Sequence, residues 1–424
     1  MPRTFRNPHL HSRKAGAVST PKSTLLITIS GPDHPGVTSS VVSVLSSHGA
    51  DLLDVEQVVV NGHLTLGLFV AANGEADEMR REVAEVAEDL GVEASIHLDS
   101  PDPHTGPSTH VVTLLGQPVS AVALGGVASA LAAIDVNIDA IKRIADYPVT
   151  GLELEVSTSD RSRSSDEQLR MALAPLSDRL GVDLSVERAG LARRAKRLVM
   201  FDVDSTLVQG EVIEMLAARA GREAEVAAVT ERAMRGELDF AESLHERVRA
   251  LQGLPATVID DVAAEITLTP GARTTIRTLK RLGIRCGVVS GGFTQVIESL
   301  AADLGLDFYK ANTLEIEDGV LTGRVVGEIV DRQAKAEYLR RCADHLGISL
   351  TQTVAVGDGA NDIDMLSAAG LGIAFCAKPA LREVADASLS KPFLDAALFL
   401  MGITRDEIEA ADRAATTFRR VPLE

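Results

Sequence analysis

The sequence predicts an α/β protein in which two small βαββαβ units precede a parallel sheet with helices on both faces. A strand–helix–strand–strand–helix–strand rhythm runs over residues 22–100 and recurs over 108–188, at an offset of about 85 residues that indicates a duplicated domain. From residue 195 onward, near-continuous apolar strands alternate with longer helices, which is typical of a buried parallel sheet. At 424 residues the chain is too long for one hydrophobic core, so several domains are expected.

The first repeat follows from apolar periodicity and one turn. Asn61-Gly62 separates two alternating strands and is a strong signal for a hairpin. The periodicity then predicts, in chain order, a strand at Leu25–Ser30, a helix at Gly36–His48, strands at Asp51–Val60 and Leu64–Ala71, a helix over 76–91 and a strand at Glu93–His97.

The second repeat has the same order of elements. Its predicted elements are a strand at Val111–Leu115, a helix at Val122–Ile134, strands at Val136–Ile144 and Gly151–Val156, and a helix near Asp166–Leu180. The linker Ser100–Ser108 is rich in Pro, Gly and Ser, as expected between separately packed units. Residues 1–21 are polar and basic, and we expect them to form a disordered leader.

The third domain is predicted over 195–405, with a tail at 406–424. Its apolar strands are Leu198–Phe201, Cys286–Val289 and Thr353–Val356. Residues 213–268 have no clear strand and are expected to form a helical cap inserted after the first strand. Leu314–Val326, split by Asp318-Gly319, is predicted to be a β-hairpin.

Composition excludes several classes of protein. The formal net charge of −18 argues against nucleic acid or an anionic membrane as a main partner, because phosphate groups would be repelled. The N-terminal residues contain no apolar signal-peptide region, and no apolar run is long enough to span a bilayer. The cysteines Cys286, Cys342 and Cys376 are widely spaced and indicate a reducing compartment. We therefore expect a soluble, cytoplasmic protein.

The first chemical signal is a strand that ends in two carboxylates. Leu198–Phe201 is followed directly by Asp202 and, after one residue, by Asp204. Ligands bind beyond the carboxyl ends of strands in open parallel sheets. Two nearby carboxylates repel each other unless a cation or a shared proton relieves them, so the pair suits a magnesium site in which one attacks and the other transfers protons. The alternative is a strand end capped by ordinary turn hydrogen bonds.

Two later features favour the chemical interpretation. Ser290 ends a strand, and Gly291-Gly292 after it allow backbone N–H groups to approach an oxyanion. Lys335 begins a helical stretch and could supply the fixed positive charge that a phosphoryl group needs. Taken singly, the first is an ordinary strand-to-helix turn and the second an ordinary surface lysine.

A third strand also ends in carboxylates, within the glycine-rich turn 357–362. Asp358 is a natural ligand for a hard cation, and Asn361 and Asp362 could hold its coordination shell in place. An EF-hand calcium loop is excluded, because the alternating ligand spacing and the terminal Glu are missing.

The order DxDST, SGG, Lys and GDGAND over residues 198–365 resembles the haloacid dehalogenase superfamily and, within it, the phosphoserine phosphatases. The resemblance implies a Rossmann-like core with a helical cap, Mg²⁺ as cofactor, Asp202 as the nucleophile and Asp204 as the general acid and base. It also implies substrate binding by Ser290, Gly291, Lys335 and Asn361, and metal binding by Asp202, the backbone carbonyl of Asp204 and Asp358, with Asp362 behind them.

The residues that indicate the substrate lie in the cap. Arg247 flanks an apolar helical stripe that begins at Phe240, so it can face inward and grip a carboxylate, and Glu211 could meet an ammonium group. The alternative is that both charged residues lie on the surface and that Phe240 and Met234 belong to the core of the cap. The segments around these residues resemble the cap of phosphoserine phosphatases, which implies O-phospho-L-serine as substrate, with Phe240 and Met234 screening the ester.

The paired N-terminal units resemble ferredoxin-like ACT domains, which commonly bind amino acids between two copies. In the first copy, Asp33, Pro35 and Gly36 belong to a strand-to-helix turn whose N–H groups could bind a carboxylate. The second copy lacks that turn and has Gly126 further on. The resemblance suggests feedback by L-serine and a homodimer. The alternative is a dimerisation module that binds no ligand.

Two wider alternatives stay open at this point. The site could act on another small phosphomonoester, or transfer the phosphoryl group to an acceptor other than water. The chain could also be an amino-acid-sensing regulatory protein, although a vestigial site has no reason to keep Asp202, Asp204, Ser290, Lys335 and Asp358 together.

Overall fold

The computed structural model describes residues 23–72, 76–98, 107–158, 163–234 and 237–420. The predicted leader lies outside the described residues, as do the last four residues of the chain. The chain divides into two compact units, an N-terminal unit of residues 1–105 and a C-terminal unit of residues 106–424. No helix in the described ranges is long and apolar enough to cross a membrane.

The N-terminal unit is the first βαββαβ repeat. Its elements are β1 (Ser23–Pro32), α1 (Val37–Ser47), β2 (Asp51–Val60), β3 (His63–Ala72), α2 (Ala76–Asp89) and β4 (Glu93–Leu98). The four strands pair antiparallel in the order β2-β3-β1-β4. Asn61 and Gly62 join β2 to β3 with φ angles of 50° and 76°, so the residues that signalled the hairpin have the positive φ that its tight turn requires.

The second repeat opens the C-terminal unit with the same order of elements. They are β5 (His110–Gly116), α3 (Ala121–Ala133), β6 (Val136–Ala145), β7 (Thr150–Thr158), α4 (Arg163–Leu180) and β8 (Asp183–Arg188). Its own apolar core lies between the helices and the sheet, and includes Val112, Val127 and Leu173. The predicted ferredoxin-like architecture is therefore confirmed for both repeats. The βαββαβ pattern implied strand β8, although no bounds were predicted for it.

The third domain contains a parallel sheet with helices on both faces, as predicted. Its strands are β9 (Leu198–Phe201), β10 (Arg285–Phe293), β11 (Phe308–Glu317), β12 (Val320–Val326), β13 (Thr353–Gly357), β14 (Leu371–Phe375) and β15 (Ala387–Leu389). The order β11-β10-β9-β13-β14-β15 is parallel throughout. Because the chain places β10 on one side of β9 and β13 on the other, the order reverses at β9, where ligands bind in folds of this kind.

Most of the remaining helices belong to the cap and to the outer layers of this sheet. They are α5 (Leu191–Arg194), α6 (Val212–Ala220), α7 (Glu223–Met234), α8 (Phe240–Arg249), α9 (Val258–Glu265), α10 (Ala272–Arg281), α11 (Thr294–Leu304), α12 (Arg332–Leu346), α13 (Ile363–Ala368), α14 (Pro379–Arg382), α15 (Ala396–Leu400) and α16 (Arg405–Ala414).

The cap consists of α6 to α9 and shares an apolar cluster with its surroundings. Leu244, Val248 and Leu251 of the predicted stripe are at most 1% exposed and pack in this cluster. The hairpin β11–β12 contributes Leu314 and Leu321 to the same cluster, so it supports the cap. The chain enters and leaves the cap through two neighbouring segments, which pair at an antiparallel bridge between Val208 and Leu268. The two connections between cap and core therefore lie side by side.

The sheet of the second repeat continues into the parallel sheet, which the sequence did not indicate. Strand β8 pairs antiparallel with β15, through Ser185 and Ala387. The result is one sheet of eleven strands in the order β12-β11-β10-β9-β13-β14-β15-β8-β5-β7-β6. The second repeat and the third domain thus share a sheet, while the predicted bounds between them stay a prediction.

The segment 406–424, predicted to be a tail, contains most of helix α16. Arg405 at its start is 4% exposed and donates to Asp395 at 2.6 Å and to the carbonyl oxygen of Tyr147 at 2.7 Å. Asp412, further along the helix, accepts bonds from Arg277 and Arg281. The buried face of α16 is largely charged, which is why an apolar pattern did not reveal the helix.

Candidate active site

The centre of the site is Asp202, placed at the carboxyl end of β9. The strand is fully buried between β10 and β13, and the Asp202 N–H donates to the carbonyl oxygen of Val356 on β13 at 2.8 Å. The backbone of Asp202 is therefore fixed where the strand order reverses, and the residue is 4% exposed. This position agrees with the expectation that the carboxylate pair lies at the ligand-binding edge of the sheet.

Lys335 neutralises Asp202 from the first turn of α12. Its ammonium group donates to Oδ1 of Asp202 and to Oδ1 of Asp362, each at 2.7 Å. The lysine is fully buried, so it is not an ordinary surface residue. Burial alone would lower its pKa, but the charges of Asp202 and Asp362 hold the pKa above its ordinary value. The site therefore contains a permanent buried cation between two carboxylates.

Three carboxylates converge close to this lysine. Asp202, Asp358 and Asp362 each offer an oxygen within 4.8 Å of the others. Burial, with repulsion from Asp362 and Asp358, raises the pKa of Asp202 well above its ordinary value despite Lys335. Burial and the charge of Asp362 also raise the pKa of Asp358, to about 6. A divalent cation relieves this repulsion, so the donor set fits a hard metal ion.

Asp362 is tied more tightly to the protein than the other two. Its Oδ1 accepts from Lys335, and its Oδ2 accepts from the Gly359 N–H at 3.1 Å. An added Cβ at Gly357 would lie 2.5 Å from the Asp362 carboxylate, so only glycine fits there. These contacts suit the predicted role of Asp362 as a residue that orients metal ligands, and that role stays a prediction.

Asp204 lies on the other side of Asp202, between the cap and strand β10. Its Oδ1 accepts from the Val212 N–H at 2.8 Å, at the start of α6, and its Oδ2 lies 3.4 Å from the Ser290 hydroxyl, which donates to it. Burial and the nearby charge of Glu211 raise the pKa of Asp204 to about 7. A carboxyl group that exchanges its proton near neutral pH suits general acid and base chemistry.

The glycine-rich end of β10, beyond the predicted strand end at Val289, carries Ser290 into the site. The Ser290 Oγ accepts from the Gly292 N–H at 2.8 Å, which fixes its rotamer, and the residue is fully buried. An added Cβ at Gly292 would lie 3.1 Å from Oδ2 of Asp204. This end of the strand is therefore packed directly against Asp204, and a larger residue at Gly292 would displace one of them.

Asn312 on β11 supports this end of β10 and was missed in the sequence. Its amide donates to the carbonyl oxygen of Gly291 at 2.8 Å and accepts from the Val330 N–H at 2.8 Å. It is 1% exposed and lies two residues before the buried Leu314. A polar residue at an inward-facing position of a strand was the available signal, because side chains two apart share a face.

The cap closes over the site from above. The Phe240 ring lies over Gly291, where an added Cβ would be 3.1 Å from Cζ of the ring. Arg247 is partly buried. Desolvation lowers the Arg247 pKa, while the negative charges of Glu211, Asp204 and Glu214 oppose that change. Arg247 thus feels the charges of these carboxylates and is partly buried, which favours the inward orientation over the surface alternative.

The remaining predicted substrate residues are Glu211, Asn361 and Met234. Glu211 lies just before α6, with the Ser205 hydroxyl 3.4 Å from its Oε1. Asn361 lies in the turn after β13, with its Oδ1 against Gly359. The side chain of Met234, the last residue of α7, lies outside the described part of the structure.

The predicted regulatory residues lie in the two repeats. Gly36 has a φ of 110° and caps α1, and the Asp33 N–H donates to the Gly62 carbonyl at 2.9 Å. Pro35 is exposed beside them. Gly126 lies within α3, where an added Cβ would be 2.9 Å from Leu180 of α4. Gly126 therefore permits close helix packing, and its ligand role stays a prediction.

Comparison with known proteins follows the same division of the chain. ACT domain models match residues 23–97 and 108–187, and a haloacid dehalogenase-like hydrolase model matches 196–370. Phosphoserine phosphatase SerB2 of Mycobacterium tuberculosis is 59% identical over 408 residues, which are 95% of this chain and 98% of that protein. The chain belongs to the phosphoserine phosphatase family. Within that family it has two N-terminal ACT domains before its haloacid dehalogenase-type phosphatase domain.

Two further members of the phosphoserine phosphatase family extend this comparison. The phosphoserine phosphatase of Streptomyces coelicolor is 54% identical, over 92% of this chain and 95% of that protein. The solved structure of a probable phosphoserine phosphatase from Vibrio cholerae, in its unliganded form, is 30% identical with a TM-score of 0.53. The match covers 73% of this chain and 90% of the Vibrio cholerae chain.

Proposed function

We propose that this family member is a Mg²⁺-dependent phosphoserine phosphatase that hydrolyses O-phospho-L-serine to L-serine and phosphate, the last step of serine biosynthesis. The observation that carries the proposal is the pair Asp202 and Asp204 at the end of β9, with Lys335 on the first carboxylate and a raised pKa on the second. The names of the Mycobacterium tuberculosis and Streptomyces coelicolor relatives, which match nearly the whole chain, support the substrate.

In the first half-reaction, a carboxylate oxygen of Asp202 attacks phosphorus and the bond to the serine oxygen breaks. The product is an aspartyl-phosphate on Asp202. Asp204, protonated at a pKa of about 7, gives its proton to the departing serine oxygen. Splitting the hydrolysis in this way replaces one difficult displacement with two easier ones.

In the second half-reaction, Asp204 acts as a base. Its carboxylate takes a proton from a water molecule as the water oxygen attacks phosphorus. The phosphorus–oxygen bond to Asp202 then breaks, which releases phosphate and restores the free carboxylate. The 2.8 Å bond from the Val212 N–H holds Asp204 in the same place for both steps.

Charge on the phosphoryl oxygens is met by groups already fixed in the site. The ammonium of Lys335 and the hydroxyl of Ser290 are both fully buried and need no rearrangement during the reaction. Asp202, Asp358 and the backbone carbonyl of Asp204 would hold Mg²⁺, with Asp362 orienting them. When bound, Mg²⁺ supplies further neutralisation of the phosphoryl oxygens.

Specificity for phosphoserine is proposed to reside in the cap. Arg247 would bind the substrate carboxylate, and Glu211 its ammonium group, while Phe240 and Met234 screen the ester from water. The charges of Glu211 and Asp204 act on Arg247, which supports its place above the reacting centre. Replacing Arg247 with Ala is expected to raise KM for phosphoserine far more than for a phosphate ester without a carboxylate. Equal losses on both substrates would contradict this role.

The direct experiment is a panel of phosphomonoesters assayed with and without Mg²⁺. We expect phosphoserine to have the highest kcat/KM, and Asp202→Asn to abolish turnover while leaving the fold intact. A different preferred ester would favour the alternative of another phosphomonoester, and transfer to added alcohols would favour a phosphotransferase. Substantial Mg²⁺-dependent turnover by Asp202→Asn would remove Asp202 as the nucleophile.

Feedback by L-serine is proposed to act through the turn Asp33–Gly36 of the first ACT domain. The positive φ of Gly36 turns the chain into α1, where free N–H groups favour a carboxylate. We expect added L-serine to lower activity of the full chain and Asp33→Ala to weaken that effect. A serine titration that leaves activity unchanged would contradict the proposed feedback by L-serine.

A homodimer is proposed to form through strand β2. Within the described sheet of the N-terminal unit, β2 pairs on one side only, with β3. Its apolar side chains are 43–67% exposed, and they are Leu52, Leu53, Val55, Val58, Val59 and Val60. A long apolar edge strand is a template for pairing with another chain, and a second copy would offer an identical edge. We expect Val58→Lys to weaken the dimer. A monomer found by light scattering of the wild-type protein would contradict the proposed homodimer.

A further inference from the structure

The direction of β8 brings one end of the second ACT domain to the catalytic edge of the sheet. Strand β8 is antiparallel to β15, which is parallel to β14 and β13. The start of β8 therefore lies at the edge where the parallel strands end, and its last residues lie at the opposite edge. Asp183 is the first residue of β8. It thus belongs to the same edge as Asp202 and Asp358, although it comes from another domain.

Asp183 holds the chain just beyond β15. Its Oδ2 accepts from the Ser390 N–H at 2.8 Å and from the Ser390 hydroxyl at 3.2 Å. Asp183 is 6% exposed, so this contact between domains is shielded from water. A buried carboxylate that accepts two bonds from one residue fixes that residue more firmly than an exposed ion pair would.

From Ser390, hydrogen bonds lead to the loop that carries Asp358. Cys376 follows β14, and its N–H donates to the Leu389 carbonyl at 2.7 Å, while its thiol lies 3.8 Å from the carbonyl oxygen of Ser390. Two residues later, the Lys378 N–H donates to the carbonyl oxygen of Asp358 at 3.1 Å. The chain after β14 is thus held on one side by 389–390 and on the other by Asp358.

The electrostatics of Cys376 agree with this placement. Desolvation of its sulfur raises the pKa of the thiol to about 11, and the charges of both Asp183 and Asp358 add to the rise. Cys376 also has a φ of 44°, which a non-glycine residue keeps only where its surroundings hold it. The segment between the two aspartates is therefore defined by contacts at both ends.

We propose that Asp183 is a positioning residue for the metal site, so that the second ACT domain contributes to binding of the divalent cation. This inference rests on the proposed function, since it concerns the loop of Asp358. By fixing Ser390, Asp183 keeps the chain after β14 in the position that holds the Asp358 backbone. Loss of its charge loosens that loop without removing any group that touches the substrate or the ion.

The other end of β8 provides a matched control. Glu187 is a largely buried carboxylate of this strand, with a side chain that is 11% exposed, and it pairs with Arg193 at 3.1 Å and lies 3.9 Å from Lys196. Lys196 in turn donates to the carbonyl oxygens of Thr351 and Gly370, before β13 and β14 begin. Glu187 therefore joins the same two domains at the opposite edge, away from Asp358. Its loss should destabilise the fold without affecting the metal site.

The test compares wild type, Asp183→Asn and Glu187→Gln by thermal unfolding over a series of Mg²⁺ concentrations. Bound Mg²⁺ raises the melting temperature by mass action, so the titration gives a half-saturation without turnover. We expect Asp183→Asn to raise that half-saturation about threefold to tenfold, less than the roughly 10- to 100-fold typical of losing a direct partner of a metal ligand. Glu187→Gln should lower the melting temperature but keep the wild-type half-saturation.

The outcomes separate this inference from the function on which it rests. Equal half-saturation in wild type and Asp183→Asn, or an equal increase in Glu187→Gln, would overturn the role of Asp183. A wild-type protein that Mg²⁺ does not stabilise would overturn the metal site itself. If Asp183→Asn does not fold, Ser390→Ala, which keeps the backbone bond, should give a smaller increase in the same direction. An unchanged value in that variant would also overturn the proposal.

Discussion

Asp204 shows how contacts with the protein suit a single carboxyl group to its two proposed tasks, those of general acid and general base. The Val212 N–H and the Ser290 hydroxyl hold its two oxygens, and burial with the charge of Glu211 raises its pKa to about 7. Its proton is needed where the leaving group is a poor one. A serine alkoxide must be protonated as it departs, whereas a nitrophenolate leaves readily without a proton.

This difference gives a prediction for Asp204→Asn. We expect kcat on phosphoserine to fall by about 10²- to 10⁴-fold, the usual contribution of a general acid and base. Formation of the phosphoenzyme from p-nitrophenyl phosphate should fall much less, measured as the burst of nitrophenolate. Asp202→Asn is the control, and it should lose both reactions. Equal losses on the two substrates in Asp204→Asn would argue against the role of acid.

The acidic cluster makes metal binding depend on pH. The pKa of Asp358 is raised from 3.8 to about 6. Between those values the folded protein holds a proton that the unfolded chain has released. The unfolding free energy of the metal-free protein therefore falls as pH rises through this range. Mg²⁺ requires the charged carboxylate, so we expect it to raise the melting temperature more at about pH 7.5 than at about pH 5. Equal increases at both pH values would contradict this assignment.

Among the elements, helix α16 stabilises the fold through buried charged residues, which its apolar pattern did not indicate. Arg405 is buried against Asp395, and its guanidinium lies over the rings of Phe399 and Tyr147. Since Asp395 is fully buried, removal of Arg405 leaves a carboxylate without its partner. Such uncompensated buried charges cost about 3–5 kcal/mol.

We therefore expect Arg405→Ala to lower the urea midpoint of unfolding substantially. Arg413→Ala is the matched control on the same helix, because its pair with Glu409 has an arginine that is 59% exposed. Glu409 itself is 5% exposed, but it keeps a second pair with Arg420 at 2.9 Å, so this variant leaves no buried carboxylate without a partner and should unfold almost as wild type does. Similar midpoints for both variants would show that the Arg405 contact contributes little.

The elements found from sequence and those missed differ in a physical way. Strands β9, β10 and β13 are continuous apolar runs buried on both faces, and their pattern is sufficient to identify them. Strand β15 has only three residues, and its pairing with β8 joins residues that are far apart in the chain. Helix α16 buries charged residues that pair with other elements. In both cases the stabilising contacts are non-local, so no local pattern reports them.

The features of the candidate site that the sequence indicated differ in the same way from those that it did not. Asp202 and Asp358 follow strands, Ser290 lies near the end of a strand, and Lys335 lies in the first turn of a helix, so the sequence indicated that they meet at one edge. Backbone donors such as the Val212 N–H cannot be predicted from residue type, because every residue except proline has one. Whether Arg247 faces the site or the solvent also depends on how the cap packs, and the helical pattern alone left both possibilities open.

The whole molecule consists of two compact units, and this division predicts how it unfolds. The N-terminal unit has its own sheet and core, whereas the second ACT domain shares a sheet with the phosphatase domain. Calorimetry should show one transition for the N-terminal unit and one for residues 106–424. A shortened chain that begins at residue 106 should keep the second transition and its phosphatase activity.

A shorter chain that begins at residue 195 should behave differently. It would lose β8 and expose the edge of β15, and Arg405 would lose the Tyr147 carbonyl. An exposed edge strand invites pairing between molecules, so we expect a lower melting temperature and aggregation. If the two shortened chains were equally stable, the shared sheet would contribute little to the stability of the phosphatase domain.

The junction between β8 and β15 also limits how such a fusion can change during evolution. Only Ser185 and Ala387 face each other across it, so its alignment depends on a single rung and on the side chains beside it. Nine residues lie between Arg188 at the end of β8 and Leu198 at the start of β9. A gene fusion that replaced this ACT domain with another domain would have to supply a strand of the same direction and register. Exchange of the second ACT domain is therefore more constrained than exchange of the first, whose four strands form a sheet of their own.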